Sequence, residues 1–162
     1  MRLFSRLVLL ATASQLAACQ AAVEFRHIPL QVATIQIQVQ LADTVAKRMQ
    51  GLMYQQNVQH GMLLLYDTPQ DMVLWMKNTP TALDVAFINA DWRIMKITAM
   101  AANSEQLHDS GAPVIAALEM PQGWFAQHGI GIGDAVHSCE ALPQSCQSKD
   151  SDTHKPLQKQ RD

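Results

Sequence analysis

The residues best placed to do chemistry lie in one stretch: Trp75, Lys77 and Asn78 run into Thr79-Pro80, and Asp84 follows inside the next apolar run. An ammonium, an amide and a carboxylate among largely apolar neighbours are more than a core requires. In an extended strand successive side chains alternate, which puts Trp75, Lys77 and Thr79 on one face and Leu74, Met76 and Asn78 on the other. Lys77 then sits beside an indole. A partly desolvated ammonium needs a carboxylate or a ligand anion, because an unpaired buried charge shifts its pKa and neutralises instead. Asp84 and Glu119 are the candidate carboxylates, and the same pairing would serve equally as a salt bridge that pins strand ends. Arg48, at the end of a short helix, either caps carbonyls there or points a guanidinium into the same cleft. Asn78 can bond local backbone in the turn before Pro80 as readily as it can bond a ligand.

Other chemistry is less well supported by spacing. Eight methionines (Met49, Met53, Met62, Met72, Met76, Met95, Met100, Met120) could suggest soft-metal binding. They form no M-x-M cluster with histidine, and they fall on apolar core positions where methionine fills gaps. His60, His108 and His128 read as solvated residues of turns and helix ends. Ser104 and Ser110 share a loop with His108, but no G-x-S-x-G elbow accompanies them. His137, Cys139, Cys146 and His154 match no familiar zinc spacing. The chain is therefore expected to use no metal and no cofactor.

The elements that must position these residues are mostly strands. Ile35-Gln36-Ile37-Gln38-Val39-Gln40-Leu41 alternates apolar and polar without a break, placing one face in a core and one in water. A short helix follows over residues 44–50: Asp43 or Thr44 can N-cap it, Val45 and Met49 fall four apart, and Gly51 suits its stop. Further strands are predicted at 62–66, 72–76, 83–88, 94–100 and 114–120, with turn residues between most of them. A second short helix is predicted within 121–129, stopping at Gly129.

The 162 residues begin with Arg2 and Arg6, a short apolar run from Leu7 to Ala13, and Leu16-Ala17-Ala18-Cys19. This order resembles a bacterial lipoprotein signal, in which residues 1–18 are removed and Cys19 becomes the acylated N-terminus. The apolar run is too short to span a bilayer, which takes about 20 residues, whereas several acyl chains anchor stably. In the plainer reading Cys19 is an ordinary residue near a cleavage site elsewhere. Gln20, where such proteins carry Asp for inner-membrane retention, leans toward the outer membrane. Of 12 basic residues, loss of Arg2 and Arg6 leaves 10 against 14 acidic, a net charge near −4 with histidines neutral. With no Lys/Arg cluster to contact phosphates, nucleic acid is not an expected partner. Only Cys139 and Cys146 remain after Cys19, and their short separation reads as a disulfide formed in an oxidising compartment.

Several motifs stand in register: Lys47-Arg48-x-x-Gly51-Leu52-Met53-Tyr54, Gly61-Met62-Leu63, Trp75-Met76-Lys77-Asn78-Thr79 with Leu83-Asp84 and Phe87, Leu118-Glu119-Met120-x-x-Gly123-Trp124, and Gly131-Ile132-Gly133-Asp134. Together, over residues 35–137, they resemble the DUF192 family, also called UPF0127. The resemblance implies a compact jelly-roll-like β domain, often exported, in a family without an established activity. The sequence departs from that pattern at Gln55, where Arg is usual, at Lys47, where Glu is frequent, and at Asp91-Trp92, which replaces an Asp-Gly-type turn. An anion site shared across the family is therefore not carried over through position 55.

The expected protein is mainly β, a single jelly-roll-like sandwich or barrel with one or two short helices. Its organisation reads as a signal at 1–18, a tether at 19–29, a β domain at 30–146 and a disordered polar tail at 147–162. A lipid-anchored, periplasm-facing envelope protein is expected to bind a small polar ligand, anionic or sugar-like, in a cleft around Lys77. The contact residues would be Arg48, Trp75, Lys77, Asn78, Asp84 and Glu119. The alternatives are an envelope enzyme using Lys77 and Glu119 as acid and base, and an assembly or interaction factor with an apolar patch near Tyr54 or Trp124. The sequence leaves the oligomeric state open.

Overall fold

The computed structural model describes residues 23–139 and 142–145. The signal segment, Cys19, Cys146, His154 and the polar tail fall outside the described residues. The chain is mainly β, as expected: among the described residues there are nine strands and two short helices, with seven of the strands in one curled sheet.

The elements in chain order are β1 (His27–Val32), β2 (Ile35–Ala42), α1 (Val45–Gln50), β3 (Met62–Gln70), β4 (Val73–Leu74), β5 (Leu83–Ile88), β6 (Ile94–Met100), β7 (His108–Asp109), β8 (Val114–Pro121), α2 (Trp124–Gln127) and β9 (Val136–His137). The large sheet runs β6-β5-β8-β3-β2-β1-β9, and β4 pairs with β7 as a small separate ribbon. Every pairing is antiparallel except β2 with β3, which are parallel. A hairpin cannot join parallel neighbours, so the chain must cross over, and such connections commonly carry a helix. That crossover holds α1.

Alternation explains two cores. Along β8, Ala116 and Leu118 join one cluster while Ala117 joins the other; along β5, Ala86 and Ile88 divide from Val85 and Phe87 in the same way. Since successive side chains take opposite faces, the sheet is covered on both. Phe125 of α2, Trp92 and Ile130 close the first face, and Leu52, Met72 and Met76 help close the second.

Several expectations move. β1 includes His27–Pro29, assigned above to the tether, because its Ile28, Leu30 and Val32 alternate into the core. Pro29, which cannot donate to a ladder, is tolerated in this strand because β9 pairs only with Gln31 and Val32, leaving that edge open at Pro29 among the described residues. The strand expected at 72–76 shortens to Val73–Leu74, since the chain turns at Lys77 and Asn78 and Asn78 adopts φ 58°. The face shared by Trp75, Lys77 and Thr79 is therefore not a strand face. The apolar pair Val45 and Met49 does not seat α1: the helix has no buried residue, and these two are 65% and 74% exposed. His108 is buried in β7 rather than solvated, and its Nε2 has no hydrogen-bond partner among the described residues.

Trp92 stands at φ 57°, where the usual Asp-Gly turn would place glycine. The Asn89 side chain accepts from the backbone N–H groups of Asp91 (3.1 Å) and Arg93 (2.9 Å), which holds the turn. The indole, only 4% exposed, packs into the first core, and that burial offsets the roughly 1–2 kcal/mol of left-handed strain.

Candidate functional site

The parallel crossover places α1 beside β3, and the helix is fixed locally before it contributes anything to a site. The Thr44 hydroxyl N-caps it by accepting from the Lys47 N–H (3.3 Å), and Gly51, at φ 49°, ends it by donating to the Lys47 carbonyl (2.8 Å). Lys47 reaches back to Asp43 (2.9 Å). Although burial alone would raise the Asp43 pKa, that hydrogen bond and the nearby Lys47 and Arg26 charges leave it lowered. Arg48 turns the other way. Its Nη1 donates to the Leu65 carbonyl of β3 at 2.7 Å, and its guanidinium lies 4.2 Å from the centroid of the Tyr66 ring. Of the two roles open to Arg48 in the sequence, helix capping is not the one adopted.

The floor comes from β8. Glu119 pairs with Met62 of β3 and Val85 of β5, and it shares the face of Ala117 against the second core. Its carboxyl group takes no hydrogen bond and no ion pair among the described residues, and burial alone pushes its pKa up to about 7. A carboxyl group in such surroundings stays protonated and neutral under mildly acidic conditions. Gly61 shows how tightly the chain is drawn here: at φ 57°, a Cβ on it would collide with the Glu119 carbonyl oxygen and the Met120 sulfur.

The far wall is the segment Val73, Leu74 and Trp75, held by the β4–β7 ribbon. The Ser110 hydroxyl accepts from the Met72 N–H (3.0 Å), and the Met76 N–H donates to the Ser104 carbonyl (3.0 Å). Between α1, Tyr66, this wall, Thr79 and Glu119 lies a cleft of about 460 Å³. That volume suits a small molecule. Arg48, Tyr66 and Glu119 are the ionisable groups that line it; the other lining side chains are mostly apolar, including Leu52, Leu64 and Met49.

The expected site residues divide accordingly. Arg48, Trp75 and Glu119 come together in the cleft. Lys77 does not line it, and its carboxylate is neither Asp84 nor Glu119: Nζ lies 3.4 Å from Glu105 in an exposed pair, and 5.1 Å from the Trp75 ring. The indole contact was legible from sequence; the acidic partner was not. Asn78 is exposed and uses its carbonyl to accept from the Tyr54 N–H (2.8 Å). Asp84 is a structural carboxylate whose Oδ2 accepts from the Gly123 N–H (2.7 Å) at the start of α2. Gln55, in the place of the family's usual Arg, exchanges amide hydrogen bonds with Gln40 (2.9 and 3.1 Å).

Val45, Met49, Tyr66 and Val73 were not recognised as site residues. The one available signal was the Val45/Met49 spacing, and in a six-residue helix it does not say whether that face is buried.

A second cleft, of about 480 Å³, lies beside β1, β2 and β9. It is lined by Leu30, Ile37, glutamine amides and the 137–139 segment, without a buried carboxyl or guanidinium. Among the described residues no group of three or more His, Cys, Asp or Glu could hold a metal ion.

The chain matches the DUF192 family, described only as an uncharacterized ACR, over residues 28–138. It is similar in structure to a protein from Sinorhizobium meliloti 1021 that carries a provisional transcription-regulator name. That likeness has 31% identity and a TM-score of 0.68, and covers 72% of this chain and 96% of that one. It is also similar to a protein of unknown function from Novosphingobium aromaticivorans DSM 12444, with 30% identity and a TM-score of 0.65, covering 69% of this chain and 85% of that one. No curated protein matches it. The motifs around Gly51, Gly61, Trp75, Glu119 and Gly131, the curled sheet they shape and the match over residues 28–138 agree: the chain belongs to the DUF192 family.

Proposed function

We propose that this protein binds a small polar ligand in the cleft between α1 and the Val73–Trp75 wall, with Arg48 and Glu119 as its polar contacts. The observation that carries the reading is Glu119, a largely buried carboxyl group, 6% exposed, that lines the cleft and has no hydrogen bond or ion pair among the described residues. Buried polar groups without partners are rare in native proteins, and where one faces a cavity a ligand is a physical way to satisfy it. Arg48 adds a cation already oriented by a backbone hydrogen bond and a ring contact. The cleft therefore centres on Arg48 and Glu119 rather than on Lys77.

Acid–base catalysis is less well supported, because it needs a second group within hydrogen-bond reach of the reacting atoms, and the cleft lining offers no second carboxylate and no imidazole. A role in nucleic-acid binding, which the Sinorhizobium name would suggest, finds little support in a chain of net charge −2 without basic clusters.

A thermal-shift screen of anionic metabolites, sugars and cell-wall fragments tests the proposal on wild type, Arg48→Met and Glu119→Gln. A ligand present at 100 times its Kd stabilises the native state by about 2.7 kcal/mol. The expected result is a ligand that raises the wild-type melting temperature and does so much less in Arg48→Met. Equal shifts in all three proteins would remove the cleft from consideration.

The envelope location rests on the N-terminal pattern ending in Cys19. Cys19→Ser should release the chain from the membrane fraction or stall it as a precursor, and palmitate labelling equal to wild type would rule lipidation out.

A further inference from the structure

We infer that the ligand of this cleft is an amphipathic carboxylate: its acid head meets Arg48 and Glu119, and its apolar body lies across Val45, Met49, Val73 and Trp75. This rests on the reading of the cleft as a binding site and names the class of molecule that fits it.

The apolar rim is the first reason. Val45, Met49, Val73 and Trp75 all line the cleft and are 65%, 74%, 55% and 45% exposed. Scattered apolar residues on a surface are ordinary, but these four converge on one opening from two separate segments, and contiguous exposed apolar surface marks a binding region. α1 in particular spends its one apolar pair there, having no buried residue of its own. A purely polar ligand such as a free sugar would leave this rim in water.

The head is the second reason. The Arg48 guanidinium has five donors in a planar fork. The structure shows one hydrogen bond from it, to Leu65, and no carboxylate paired with it among the described residues. A planar carboxylate matches that fork. Glu119, held neutral by burial, can donate its proton to the same kind of acceptor, whereas an ionised Glu119 would repel it. Arg48 from α1 and Tyr66 from β3 are the other ionisable groups that face the cleft. One cation and one neutral acid suit a head carrying a single negative charge.

Isothermal calorimetry at pH 6 on the full chain, using straight-chain carboxylates from butanoate to octanoate, reads this directly. Affinity should rise by roughly fourfold per added methylene, the value for full burial of each group. The matched primary alkylamines should bind at least tenfold more weakly. Val45 and Met49 are exposed, so the double variant Val45→Ser, Met49→Ser should fold, and in it the dependence on chain length should flatten, with octanoate losing more affinity than butanoate. Arg48→Met should weaken the whole series together.

Affinity independent of chain length, with Arg48→Met still weakening it, would overturn the amphipathic ligand and leave the polar cleft standing. Alkylamines binding better than carboxylates would overturn the acid head. No carboxylate binding at all would overturn the inference; whether the binding site itself fails is then read separately from the wider thermal-shift screen.

Discussion

Arg48 and Glu119 line the same cleft without forming a salt bridge, each held by something other than the other. Arg48 is tied to the Leu65 carbonyl and the Tyr66 ring, while Glu119 is held by its place between Met62 and Val85 in the sheet. Two opposite formal charges in one cavity would ordinarily close on each other. Here desolvation pushes the acid's pKa up to about 7, so that at mildly acidic pH it is mostly neutral and most of the pull is absent.

Glu119 should make stability depend on pH in an unusual direction. Its folded pKa, about 7, lies above the ordinary value of 4.5, so between those values the folded state holds a proton that the unfolded state has released. This contribution is fully present below about pH 4.5 and is lost as pH rises to about 7. At about 1.4 kcal/mol per pH unit it amounts to something on the order of 3 kcal/mol. Urea unfolding at pH 5 and pH 8 should show a larger loss of stability in wild type than in Glu119→Gln. Identical losses would mean that Glu119 is ionised in the folded protein.

Gly61→Ala should be among the more damaging single changes outside the cores. The added Cβ meets backbone and a core sulfur at a positive φ, so overpacking and strain act together and should cost at least about 2 kcal/mol. Gly123→Ala is the control: its φ is 87° but nothing lies within 4 Å of the Cβ, so strain alone applies, at roughly 1–2 kcal/mol. Denaturant midpoints of the two variants compare them directly, and a larger loss at Gly123 would contradict the packing.

Lys77→Met should change stability by less than about 1 kcal/mol, because its pair with Glu105 is exposed on both sides and such pairs contribute little. Asp84→Ala should cost roughly 1–3 kcal/mol, since the Gly123 N–H then loses its partner at the start of α2. A collapsed Lys77→Met would show that the lysine holds more than Glu105.

Thiol titration of the folded chain, produced in an oxidising compartment, should find Cys139 and Cys146 oxidised together. Loop-closure entropy for so short a loop gives roughly 2.5 kcal/mol, so reduction should lower the unfolding midpoint measurably. Two free thiols that take up zinc would point to a metal site instead.

What the sequence alone determined is what local patterning can encode. Strands at Leu83–Ile88 and Ile94–Met100 were legible to the residue, and α1 was legible from Thr44 to Gly51, because period, cap and stop all lie within a few neighbours. The register of short motifs was enough for the family. Glu119 and Arg48 were legible as residues worth watching, because charged groups beside apolar runs demand an explanation. Tertiary structure alone decided their company. Positions 48 and 119 line one cleft only because β2 and β3 pair in parallel and force a crossover, and because β8 inserts between β3 and β5. Lys77 lost its expected partners for the complementary reason: a turn at Asn78 ended the strand on which the alternation argument depended, and Glu105 from a distant loop was nearer. A helix of six residues likewise cannot announce which face it buries, since its packing is set by what the crossover brings beside it; only the folded chain could turn Val45 and Met49 outward onto a cleft.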